Sequence, residues 1–224
     1  MKHRNMASLG AAVQHSLNRD RETMYRTWIH SVPDSYRGVS LDDCLSDLEE
    51  TLSSGVTSQL SAMVHTRDVP SIHPHTCGSF LILRGAVGTG KTTLAVALVD
   101  AMIRFAPATM SGLYTTGVRA LSNLSFEHRE EIERLSTPDV LVIDDLGVVN
   151  DDMTDHQRRM LWQVMEHRWS HPHQMTVITT NMPLSPTPDR MGMPEWVGPA
   201  IWDRMTDRCA VFSLETRSRR GVRL

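Results

Sequence analysis

The sequence is poor in lysine, cysteine, aromatic residues and long apolar runs, and each shortage narrows what the chain can be. Only three cysteines occur, Cys44, Cys77 and Cys209, far apart. An odd, scattered set argues against a secreted disulfide framework and for a reducing compartment. No apolar run approaches the ~20 residues of a membrane-spanning helix. The first twenty residues lack the continuous apolar centre of a signal peptide, so no membrane association and a cytoplasmic location are expected. Aromatic residues make up 5% of the chain and the net charge is −3, which argues against a generally basic nucleic-acid coat. Lysine appears twice, as Lys2 and Lys91, against 21 arginines. A position that keeps lysine under such a bias points to a need for a compact ammonium.

The charge that is present is unevenly placed. Residues 1–30 and residues 201–224 each carry a net +3, leaving −9 for the body between them. Basic ends on an acidic body suit contact with phosphate or an acidic partner, or simply two solvated tails. With 224 residues the chain can bury a full core without a metal or disulfide staple.

Apolar residues at Met6, Leu9, Val13 and Leu17, then Met24 and Trp28, predict a helical stripe with a break near Asn18–Asp20. An extended connection through SVPDSYRGVSLDD follows, then a helix over about 41–63 with Ser40 as its N-cap. The loop TRDVPSIHPHTCGS holds His73, His75 and Cys77. No second ligand pair accompanies them, so the reading is a loop and not a zinc site. From Phe80 onward, apolar strands alternate with helices: strands near 80–83, 112–115, 140–143, 175–179 and 210–214. Helices are expected over 90–105, 117–135, 155–170 and 198–207, with a proline-rich loop before the last. Such alternation predicts a parallel sheet covered by helices on both faces.

Between the first of these strands and its helix lies Gly85-Ala-Val-Gly-Thr-Gly-Lys91-Thr92, a full match to G-x-x-x-x-G-K-[ST]. Its physics is a phosphate cradle. Gly85, Gly88 and Gly90 let the chain turn so that backbone N–H groups, including those of Val87, Thr89 and Thr93, face phosphate oxygens. The helix N-terminus adds partial positive charge. Lys91 reaches the β- and γ-phosphates, and the Thr92 hydroxyl suits Mg2+. The apolar strand Val140–Ile143 then ends in Asp144-Asp145. Two carboxylates at the end of a central strand are costly without a task. Asp144 is placed to hold Mg2+ through water and Asp145 to polarise an attacking water. A third strand, Thr176–Thr180, ends in Asn181, which could orient that water, touch the γ-phosphate, or merely form a turn.

These motifs in this order resemble the AAA+ ATPases, and among them the bacterial DnaC-type helicase loaders and the IstB transposition ATPases. LVIDDLG at 141–147 resembles their Walker B strand, VITTN their sensor 1 strand, IWDRM at 201–205 their arginine-finger segment, and FSLETRSRR at 212–220 their C-terminal strand and arginine cluster. The resemblance implies a P-loop NTPase fold of the α/β class: a three-layer parallel sheet flanked by helices over residues 32–224, preceded by a short helical extension at 1–31. It makes Lys91 and Thr92 nucleotide ligands, Asp144 and Thr92 the magnesium residues, and Asp145 the hydrolytic base. Asn181 becomes sensor 1, and Arg204 a finger reaching a neighbouring subunit's nucleotide, which requires a homo-oligomer. Arg217 matches sensor 2, with Arg219 or Arg220 as alternatives. Arg204 could instead be a surface charge paired with Asp203 or Asp207. Tyr36 and Val39 would flank the adenine.

The implied cofactors are ATP and Mg2+, and the implied partners a replicative helicase and single-stranded DNA. Arg119, Phe126, His128 and Arg129 are the candidate DNA contacts, and the N-terminal segment is either a helicase-docking element or a plain packing helix. Two other readings stand beside the loader: an IstB-type transposition regulator acting with a transposase on duplex DNA, and a small-molecule kinase, disfavoured because the terminal arginines follow the ATPase pattern. The sequence departs from many AAA+ proteins in having Asp145 where they carry Glu. One methylene fewer sets the carboxylate back by roughly 1.5 Å, which predicts slow hydrolysis suited to a switch.

Overall fold

The computed structural model describes residues 2–48, 54–65, 79–105, 109–123, 129–147 and 153–214. Five parallel strands form one sheet: β1 (Phe80–Gly85), β2 (Gly112–Thr116), β3 (Val140–Asp144), β4 (Met175–Thr180) and β5 (Cys209–Leu214), in the spatial order β2-β3-β4-β1-β5. Every residue of β3 and β4 is buried, as strands covered on both faces require. Successive side chains point to opposite faces, so the apolar runs divide between two cores. Leu81, Leu83, Val140, Val142 and Val177 face one layer of helices, and Phe80, Ile82, Leu141, Ile143 and Ile178 face the other.

The first layer holds α1 (Lys2–Ser31), a 3-10 turn at Asp34–Tyr36, α2 (Leu41–Leu48), α3 (Ser54–His65) and α4 (Lys91–Phe105). The second holds α5 (Gly117–Asn123), α6 (Arg129–Ser136), α7 (Asp155–Ser170), α8 (Met193–Val197) and α9 (Pro199–Asp207). The three-layer parallel architecture expected of a P-loop ATPase is therefore present. The helix expected over 41–63 is seen as α2 and α3, on either side of residues 49–53, which lie outside the described residues.

Two expectations are corrected. The break near Asn18–Asp20 is absent, and α1 runs unbroken over 30 residues. The 18–20 stretch is solvent-exposed, so no packing interrupts it, and Leu17, Arg19, Arg21 and Glu22 in and around it favour the helix. The proline-rich loop after β4 contains α8, with Gly192 as N-cap and Pro194 in its first turn, where proline's missing N–H has no partner to lose.

The last turns of α1 belong to the main core. Trp28 is fully buried and its indole N–H donates to Asp100 Oδ1 at 3.3 Å. Asp100 also pairs with Arg104 at 2.7 Å, and Arg104 lies over the Tyr25 ring. On the other face of the sheet, at the starts of the central strands β3 and β4, Arg168 of α7 is completely buried. Its guanidinium donates to the carbonyls of Leu135, Ser136, Pro138 and Met175 and to the Thr176 hydroxyl, a set that satisfies the fork without a paired carboxylate. Burial pushes this group down to about 9, well below the ordinary guanidinium value. No described helix is long and apolar enough to cross a membrane.

Candidate nucleotide site

Strand register brings the C-terminal ends of β1, β3 and β4 to one edge of the sheet: Leu83 pairs with Thr179, and Ile143 with Ile178. Ligands of open parallel sheets bind at this edge. The loop 86–90 leaves β1 there and enters α4. Gly88 and Gly90 adopt left-handed φ values of 84° and 92°, which side chains resist. At Gly85 a Cβ would stand 2.4 Å from the carbonyl oxygen of Leu214, so only glycine fits between β1 and β5. Thr89 Oγ1 and Lys91 Nζ both donate to the Ala86 carbonyl, at 3.0 and 2.8 Å. The lysine is thus folded over the loop it belongs to, and it is 5% exposed.

The loop closes one side of a cavity of about 390 Å3, whose other wall is Tyr36, Val39, Cys44 and Leu48, with Asp43 and Asp47 at its rim. Val87, Gly88, Gly90, Lys91, Thr92 and Thr93 of the loop and the start of α4 line it, together with Asp145 and Asn181. An apolar recess leading to a ring of N–H groups suits a base attached to a polyphosphate. Tyr36 and Val39, expected at the adenine, lie in that recess, together with Cys44 and Leu48, which sequence reading missed.

Asp144 is 4% exposed. Three hydroxyls donate to it: Thr92 at 2.8 Å and Thr179 at 2.6 Å on Oδ1, and Tyr114 at 2.7 Å on Oδ2. Burial, and then the hydrogen bond and charge of Asp144, raise the Tyr114 phenol above its ordinary value of 10.0, so it stays a donor. A hydroxyl and a carboxylate side by side are hard oxygen donors suited to Mg2+, which keeps several of its waters.

Asp145 is the only non-glycine with positive φ, 54°, among the described residues. Its N–H donates to Thr179 Oγ1 at 2.8 Å, and the next N–H, of Leu146, to the Thr179 carbonyl at 2.9 Å. Thr180 Oγ1 donates back to the Leu146 carbonyl at 2.7 Å. The turn carrying Asp145 is therefore fastened to the strand that carries Asn181. Aspartate tolerates left-handed backbone better than longer side chains do, a local reason for Asp where many AAA+ proteins have Glu. Asn181 Oδ1 is buried and has no hydrogen-bond partner. An orphaned acceptor at the phosphate end of the cavity is suited to a bound donor such as water.

Arg204 does not line this cavity. It sits on α9, where it donates to Glu166 at 2.6 Å and Asp203 at 2.9 Å, with its guanidinium 4.5 Å from the centre of the Trp169 ring. Within one chain it is a paired surface charge. Arg119 and Arg129 are exposed. Arg217, Arg219, Arg220, Phe126, His128, His73, His75 and Cys77 lie outside the described residues. Sequence reading did not single out Tyr114 or Thr179. The only signal was the run of hydroxyl side chains at the ends of two strands, Tyr114, Thr115 and Thr116 in β2 and Thr179 and Thr180 in β4.

Residues 44–223 match the family described as IstB-like ATP binding protein. No curated protein matches the chain in sequence. Among solved structures, the DnaC helicase loader is similar at 20% identity and a TM-score of 0.60, covering 81% of this chain and 99% of that one. DnaI is similar at 20% identity and 0.60, covering 84% and 94%. Domain III of the Thermotoga maritima replication initiation protein DnaA is similar at 18% identity and 0.55, covering 82% and 68%. With a P-loop at a parallel sheet's edge, an aspartate pair beside it and a family match over most of its length, the chain belongs to the IstB-like ATP-binding protein family, and its fold is that of the DnaC and DnaI structures.

Proposed function

We propose that this protein is an ATPase that loads a replicative helicase onto single-stranded DNA in the bacterial cytoplasm, with hydrolysis as its switch. The observation that carries the ATPase reading is the convergence of Lys91, Thr92, Asp145 and Asn181, whose side-chain oxygen is orphaned, on one cavity, with Asp144 hydrogen-bonded to Thr92 beside it. Lys91 exchanges its bond to Ala86 for the β- and γ-phosphate oxygens, which match an ammonium better than a carbonyl does. Mg2+ held by the Thr92 hydroxyl and, through water, by Asp144 would neutralise charge on the phosphates. Asp145 accepts the proton of the attacking water, and Asn181 orients that water. Set back by one methylene, Asp145 makes turnover slow.

Arg204 acts in trans in this reading. A neighbouring copy's nucleotide draws it from Glu166 and Asp203, and one of the arginines beyond Leu214, Arg217 foremost, reaches the chain's own phosphates. Residues 32–224 form the ATPase unit, and the exposed part of the 1–31 segment docks the helicase. Support for loading comes from the likeness to the DnaC helicase loader over 99% of that structure. The family match to IstB-like proteins favours the second reading, regulation of transposition.

Co-purification tests the two. Wild-type protein with ATP should retain the host's replicative helicase, and Lys91→Ala should lose both ATP binding and ATP-dependent retention. Recovery of a transposase with no helicase would replace the loader by the regulator. Undiminished ATP affinity in Lys91→Ala would overturn the site.

A further inference from the structure

Asp144 has an unequal set of donors. Thr92 and Thr179 both donate to Oδ1, while Oδ2 is bound by the Tyr114 phenol at 2.7 Å. A carboxylate pinned through one oxygen can still swing about its last side-chain bond; the phenol on the second oxygen removes that freedom. We propose that Tyr114 is a positioning residue for the divalent-ion site, holding the Asp144 carboxylate in the plane that presents it to an ion at Thr92. The inference rests on the nucleotide-site reading above.

The placement follows from strand register. Tyr114 pairs with Val142 across β2 and β3, so Asp144, two residues on, lies diagonally opposite on the same face. That spacing of about 7–8 Å is within reach of a long aromatic side chain. Tyr114 is 6% exposed, and a phenol that deep is costly unless its hydroxyl finds a partner. A carboxylate accepts about four hydrogen bonds. Three are filled by protein hydroxyls, leaving about one for a water on the ion.

The tyrosine is itself held from outside the sheet. β2 is an edge strand, and the Tyr114 N–H donates to Ser31 Oγ at 3.0 Å, whose own hydroxyl donates to the Trp28 carbonyl at 2.6 Å. The end of α1 thus fixes the strand that fixes Asp144.

Tyr114→Phe keeps the ring and removes the donor. Binding of a fluorescent ADP analogue is measured in EDTA, and Mn2+ affinity of the ADP-bound protein by electron paramagnetic resonance. Nucleotide affinity in EDTA should stay within about 2-fold, while Mn2+ affinity should fall about 10- to 100-fold, the range for losing an outer-shell partner. Unchanged Mn2+ affinity overturns the proposal. Should the variant also weaken binding in EDTA, the same substitution in an Asp144→Asn background decides. If the phenol acts through the carboxylate, its effect on Mn2+ affinity vanishes there; a loss of the same factor in both backgrounds overturns it. Wild-type protein that binds no nucleotide refutes the nucleotide site itself and not this role of Tyr114.

Discussion

Removing the N-terminal helix should have two separable effects, depending on where the cut falls. Residues 15–20 are exposed, whereas Trp28 is fully buried against α4 and hydrogen-bonded to Asp100. Deleting residues 2–20 takes away a stretch of helix in which residues 15–20 are exposed. Deleting 2–30 also removes Trp28 and Tyr25 and uncovers the edge strand β2. Truncating one buried tryptophan costs about 3–5 kcal/mol, against a total stability of about 5–15 kcal/mol for a folded protein. In a chain of this size each kcal/mol moves the midpoint by about 2–4 °C. The longer deletion, like Trp28→Ala alone, should therefore melt about 6–20 °C lower. The shorter one should melt within about 2 °C of the full chain, keep ATPase activity and lose helicase association. Thermal unfolding by circular dichroism, with ATPase assays on the same samples, reads all three proteins. A 2–30 deletion as stable as the full chain would refute the assignment of Trp28 to the ATPase core. A 2–20 deletion that still binds the helicase would move the docking surface elsewhere.

Arg204→Ala should bind ATP normally and lose hydrolysis, and mixing it with Lys91→Ala protein should restore part of the turnover; steady-state ATPase assays that find normal turnover in Arg204→Ala alone remove it from the site. Asp145→Glu should raise kcat by carrying the carboxylate forward. It should also lower the melting midpoint by about 2–4 °C, for about 1 kcal/mol of added strain at a residue with φ 54°. Equal or slower turnover with intact ATP binding would contradict the reach argument. Stability should also fall on acidification. Burial, and then the charges of His171, Arg168 and His173, hold His167 below its ordinary 6.5. The unfolded chain then binds more protons in the window just under that value, and stability present above it is lost as the pH falls toward the folded value. His167→Gln should flatten the melting-point profile there, and an unchanged slope would assign it to other groups.

The phosphate loop was legible because its function is local. The glycines, the lysine and the helix start are contiguous, and backbone N–H groups converge wherever that run bridges a strand and a helix. The apolar runs ending at Asp144 and Asn181 were legible for a similar reason, since burial on both faces writes an unbroken apolar strand. The sequence alone therefore determined the sheet's strands, the cradle and the identity of the acids beside it. It could not determine what holds those acids. Tyr114 and Thr179 lie 30 and 35 residues from Asp144, and only the register of three neighbouring strands brings their hydroxyls onto one carboxylate. The left-handed turn at Asp145 arises the same way, from bonds to Thr179 on another strand. Trp28 read as part of a separable extension because its stripe is helical, yet a stripe does not say which surface it meets. Arg204 matched a motif, but its resting partners Glu166 and Trp169 come from a different helix. Short-range backbone geometry is encoded in short segments, whereas the orientation of a side chain depends on atoms that only the packed chain brings within hydrogen-bond reach.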